Sequence, residues 1–143
     1  MSKWFYPDRQ ILEWWANFLK EPTIFLSPYL PPIDAGWIDT VLGTMDLLKI
    51  SFYRDDFHHK AAHLFYKICK DHYFVDSNKR SSIIVLYLFC IVNGYIITCQ
   101  PEGIRKLAEH TAEIKGSKNY ENDIAEIEKK LEEVILPVTS LGK

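Results

Sequence analysis

The chain has 143 residues, 48% of them hydrophobic and 25% charged, with a net charge of −2. That length suits a single domain, 1–143, and the balance excludes a disordered chain; Lys and Arg are dispersed rather than striped, which excludes a nucleic-acid partner. Aromatic residues reach 14%, enough large side chains to build a sizeable core from a short chain.

Cys69, Cys90 and Cys99 are odd in number and fit no metal-binding spacing. The first two fall in apolar helical stretches and read as buried thiols in a reducing compartment. The longest apolar run, Ile83–Val92, has ten residues, too few to span a bilayer, so no membrane partner is expected. Met1-Ser2-Lys3-Trp4 carries no signal-peptide core, and the expected location is the cytoplasm.

Helical periodicity dominates from the start of the chain. Asp8–Lys20 places Ile11, Leu12, Trp15 and Phe18 on one face behind Pro7, which predicts a first helix. Glu21–Gly36 holds four Pro and is a loop, although Ile24-Phe25-Leu26 make it apolar for one. Trp37–Leu48 predicts a short second helix capped by Asp34. Asp55 and Asp56 open a third, running to about His72, with Phe57, Ala61, Leu64, Phe65 and Ile68 as its stripe. The fourth begins near Ser77 and is apolar on every side from Ile83 to Val92, the pattern of a helix at the centre of a bundle; Asn93-Gly94 stops it. Pro101–Ile114 and Tyr120–Ile135 predict two more, closed by Gly116 and Pro137. The expected fold is all-α, one helical bundle around a central buried helix.

The segment His72-Tyr73-Phe74-Val75-Asp76-Ser77-Asn78-Lys79-Arg80 stands out on physical grounds. Asp76 or Ser77 suits the N-cap of the fourth helix, whose free N–H groups then form an anion site. A start near Ser77 puts Lys79 and Arg80 in the first turn, where each cation opposes the helix dipole by roughly 0.3–1 kcal/mol. A bound polyphosphate reverses that sign. Asn78 adds a donor, and Asp76 is suited to a divalent cation bridging phosphates. His72, four residues before Asp76, is a natural general base for a hydroxyl nucleophile.

This segment, HYFVDSNKR, resembles the Fic/Doc signature His-x-Phe-x-Asp-(Gly/Ala)-Asn-(Gly/Lys)-Arg at His72, Phe74, Asp76, Asn78, Lys79 and Arg80. The likeness extends from about Leu30 to Tyr95. It implies a nucleotide-dependent transferase using ATP and Mg2+. His72 would be the base on a target hydroxyl, and Asp76 would hold magnesium. Ser77, Asn78, Lys79 and Arg80 would bind phosphates, with a short flap within Phe25–Gly36 holding the target segment. Adenylylating members usually carry Gly before the Arg and a second Arg three positions after it. Here those places hold Lys79 and Ile83. The Lys form is similar to Doc (death-on-curing) toxins, protein kinases that phosphorylate elongation factor Tu and pair with an antitoxin. The resemblance thus implies phosphate transfer to a protein substrate, with AMP transfer and a catalytically inactive binding module as alternatives. Ser77 departs from the usual Gly or Ala.

Other features have plainer readings. His59 and His63 are four apart, yet Lys60 stands where a zinc peptidase needs Glu, and a solvated polar face is expected for both. Ser117 to Asn122 looks like the inhibitory Ser/Thr-x-x-x-Glu-Gly/Asn pattern of some adenylylating relatives, but Ser117 and Glu121 also suit a helix start. Tyr6, Trp14 and Trp15 are expected in the core, and EIEKKLEE on a solvated face.

Overall fold

The computed structural model describes residues 3–18, 36–50, 55–70, 75–114 and 120–140, and for residues 15–18, 37 and 75–80 the backbone alone. Six helices appear there: α1 (Arg9–Phe18), α2 (Trp37–Lys49), α3 (Phe57–Cys69), α4 (Val75–Val92), α5 (Pro101–Glu113) and α6 (Tyr120–Val134). The fold is all-α, as the periodicity implies, apart from two short strands. No described helix is long and apolar enough to cross a membrane.

Local sequence explains three of the helix ends. Asp8 caps α1, its Oδ1 accepting from the Ile11 N–H at 2.9 Å. Pro101 opens α5, its missing N–H lost where a helix has no use for one. Asn93-Gly94 ends α4, with Gly94 at φ 76, a conformation that glycine adopts without strain. Asn93 does more than stop the helix. Its side chain donates to the Phe5 and Phe89 carbonyls and accepts from the Phe5 N–H, each at 2.8 Å. The N-terminal segment is thereby tied to the end of α4.

Several expectations need correction. The cap position of α2 is Gly36, and Asp34 lies outside the described residues. The third helix ends at Cys69, short of His72, with Lys70 as its C-cap. The fourth begins at Val75 rather than near Ser77. The last helix stops at Val134, because Ile135–Pro137 forms strand β2, antiparallel to β1 (Tyr95–Ile97), in the register Tyr95↔Pro137, Ile96↔Leu136, Ile97↔Ile135. Trp14 is 58% exposed and no part of the core, whereas Tyr6 packs on Phe89 with ring centroids 5.0 Å apart.

The centre of the bundle is a pair of helices, α3 and α4. Helix α3 packs against α2, α4, α5 and α6, and its expected stripe is buried throughout. So are Lys60, His63 and Tyr66 on its other sides. Helix α4 is buried from Ser81 to Cys90 except for half-buried Tyr87. The thiols of Cys69 and Cys90 are buried as expected, and burial pushes that of Cys90 up to about 12. The amphipathic partners bring Ile104, Leu107, Ala108 and Thr111 from α5, and Ile124, Ile127 and Leu131 from α6.

Two of the buried polar groups, Lys60 and His63, are matched to partners from other helices. Lys60, 1% exposed, donates from Nζ to the Leu48 carbonyl at 2.9 Å, satisfying a C-terminal carbonyl of α2 with a cation. Burial pulls its pKa below the usual lysine value, partly offset by Asp55. The pair expected on a solvated face is instead held between α3 and α6: His63 is 2% exposed, and His59 bonds to half-buried Glu128 of α6. His63 can be buried because Tyr120 Oη of α6 and His59 meet its two ring nitrogens.

Candidate functional site

The site begins where α3 hands over to α4. Two bonds hold this corner. The Cys69 thiol, in the last turn of α3, donates to Ser82 Oγ of α4 at 3.1 Å, both groups buried. The Lys70 ammonium donates to the Ile114 carbonyl just past α5. Helix ends that flank the motif are therefore fixed from behind by side chains on either side of it.

Within the motif, the structure describes the backbone of residues 75–80 as the first turn and a half of α4. A start at Val75 leaves the N–H groups of residues 75–77 without a partner inside the helix. Asp76 stands at the second helical position and Ser77 at the third, so neither is the N-cap. Asp76 favours the dipole in that first turn. Lys79 and Arg80 fall in the second turn, where the dipole field has largely decayed, so the repulsion expected for them is reduced. Helical spacing still sets Asp76, Lys79 and Arg80 on one face, at i, i+3 and i+4. His72 and Phe74 lie outside the described residues, as does the expected flap up to Ala35. Ser117 lies outside them too, while Glu121 is exposed in the first turn of α6.

Ser81, which the motif does not include, and Ile83, which departs from the adenylylating pattern, both follow the motif on α4. Ser81 is 2% exposed, and its Oγ has no hydrogen-bond partner among the described residues. An unsatisfied buried hydroxyl costs about 1–3 kcal/mol. This one sits immediately behind Arg80, in the turn that carries the candidate phosphate ligands. Ile83 is 1% exposed and part of the hydrophobic core. The place of the second Arg in the adenylylating pattern that the motif resembles is thus occupied by a packed core residue.

The donor set fits a metal–nucleotide complex chemically. It combines a carboxylate, a carboxamide, two cations and the open N–H groups of an 18-residue helix. The orphaned Ser81 hydroxyl adds a polar group that the protein's own described residues leave unsatisfied. Among the described residues, no group of three or more His, Cys, Asp or Glu is arranged to hold a metal ion. The His59–His63 pair, with Glu128 on the far nitrogen of His59, belongs to the α3–α6 contact instead.

No curated protein and no solved structure matches the chain. Residues 36–90 match the sequence model of the Fic/DOC family, a stretch that takes in α2, α3, the whole of HYFVDSNKR and α4 as far as Cys90.

Proposed function

We propose that this protein is a Doc-like kinase that moves the terminal phosphate of ATP onto a Ser or Thr hydroxyl of another protein. The observation that carries the reading is the family match over 36–90, which encloses HYFVDSNKR at the mouth of a buried central helix. In this reading His72 takes the proton of the target hydroxyl. Asp76 would hold Mg2+, and the 75–77 N–H groups with Ser77, Asn78, Lys79 and Arg80 hold the phosphates. The metal's contribution is to neutralise charge on the phosphoryl oxygens. Catalysis is then positioning and charge stabilisation, which suits a site built on a helix anchored at Ser82 and Ile83.

Burial of Ile83 favours phosphate over AMP transfer, because the second Arg of the adenylylating pattern has no counterpart on this face. The proposed setting is a toxin in the cytoplasm with an antitoxin partner, and a translation factor such as elongation factor Tu is the proposed substrate. ATP labelled at the α or the γ phosphate, incubated with the protein and a bacterial lysate, tests this. Protein-bound γ label is expected. Protein-bound α label identifies an adenylyltransferase, and no label with either ATP identifies a binding module.

A further inference from the structure

At the other end of α3, about 20 Å from the motif by the length of that helix, the surface opens into a cleft of about 380 Å³. Two aromatic walls meet there nearly at right angles, Trp4 and Tyr95, with centroids 6.1 Å apart and planes at 74°. Phe57 stacks on Tyr95 at 3.9 Å and is itself buried, so the walls stand on the core rather than on a loop. The Trp4 indole is fixed further by its N–H, which donates to the Asp55 carbonyl at 2.8 Å. Around the aromatic pair the lining supplies three carboxylates, Asp56, Glu128 and Glu132, against one ammonium, Lys3. Glu132 makes no ion pair or hydrogen bond with the described residues and is exposed.

Perpendicular rings with carboxylates at the rim form a cation site. The ring faces attract positive charge, and the carboxylates neutralise it. The chain itself supplies an independent sign of that preference, because the Lys3 ammonium lies 4.9 Å from the centroid of the Trp4 ring. We propose that this cleft receives an arginine side chain presented by a protein partner. A planar guanidinium can stack on an indole while its edge bonds a carboxylate, which an ammonium cannot do. A cleft of about 380 Å³ has room for the end of a side chain and leaves the partner's backbone outside. It is separate from the motif and does not depend on the transferase reading.

The test follows the indole N–H signal of Trp4 in the 15N-labelled full chain, identified by its loss in Trp4→Phe. A short Gly-flanked arginine peptide is titrated against its citrulline counterpart, which keeps the shape and removes the charge. The arginine peptide should shift the signal saturably, and the citrulline peptide should bind about tenfold or more weakly, the loss of one charge-assisted bond. Glu132→Gln, a change at an exposed position, should weaken the arginine peptide several-fold, and Lys3→Ala should tighten it by removing the resident cation. Equal response to both peptides would overturn the proposal. So would an unsaturable shift, or an unchanged affinity in Glu132→Gln.

Discussion

His63 Nε2 lies 3.2 Å from His59 Nε2, and each ring is held from behind by an oxygen, His59 Nδ1 by Glu128 and His63 Nδ1 by Tyr120 Oη at 3.0 Å. The result is a four-residue polar chain running across the α3–α6 contact. Its inner ring cannot accept charge cheaply. Burial, helped by His59, Lys67 and Lys60, pushes His63 down to about 3, so it is neutral in the folded protein at ordinary pH.

That depression makes the fold acid-sensitive in a definite window. Between about 3 and the ordinary histidine value of about 6.5, the unfolded chain binds the proton and the folded one does not, so stability falls as pH falls. The slope from this one group is at most about 1.4 kcal/mol per pH unit. His63→Gln keeps a polar group facing Tyr120 but cannot titrate. Urea midpoints of both proteins at about pH 7 and about pH 4.5 should show a smaller acid loss in His63→Gln. Equal losses would contradict the buried neutral His63.

Lys60 is a buried cation whose value lies in the carbonyl it satisfies. Lys60→Met keeps most of the volume and removes a desolvated charge, which is favourable. It also removes the charged donor from Leu48 O at the end of α2. Losing a hydrogen bond from a charged donor costs about 1.5–3 kcal/mol, so the net change should be destabilising. Urea denaturation should show a lower midpoint, and an unchanged or raised midpoint would mean that solvent replaces the lysine.

Ser81→Ala should act in the opposite direction. Removing a buried hydroxyl without a partner relieves up to about 1–3 kcal/mol, so the nucleotide-free variant should melt at a higher temperature. A lower melting temperature would show that Ser81 Oγ is satisfied in solution.

Ile83→Arg would supply the second arginine of the adenylylating pattern, but at a core position. It removes a buried apolar side chain and inserts a charge, a combination expected to cost more than about 3 kcal/mol. The soluble yield and melting temperature should both drop. A stable Ile83→Arg protein that transfers AMP would contradict this account of the position.

Much of the bundle was legible because its helices follow a single period. The apolar stripe of α3, the all-round apolarity of α4 and the stop at Asn93-Gly94 correspond to local rules, and the structure agrees within a few residues. What was hidden depends on distance along the chain. Tyr95–Ile97 and Ile135–Pro137 are three-residue strands, too short to show alternation, and each is extended only because the other pairs with it. His59 and His63 have polar spacing that suits a wet face, and only Glu128 and Tyr120 from α6 make their burial possible. The motif was readable as chemistry, but the two-residue difference in where α4 begins moved Lys79 and Arg80 out of the first turn. Boundary placement of that size is beyond residue preference alone.

The central claim is tested most directly by comparing the unaltered protein with His72→Ala, supplied with γ-labelled ATP and a bacterial lysate. The base acts on the target hydroxyl and not on the phosphates, so nucleotide affinity should stay within a few-fold while transfer falls by about 10²–10⁴. Label on a protein target with the unaltered chain, lost to that extent in His72→Ala, is the predicted result. Undiminished γ transfer by His72→Ala would remove the histidine from the mechanism and contradict the account.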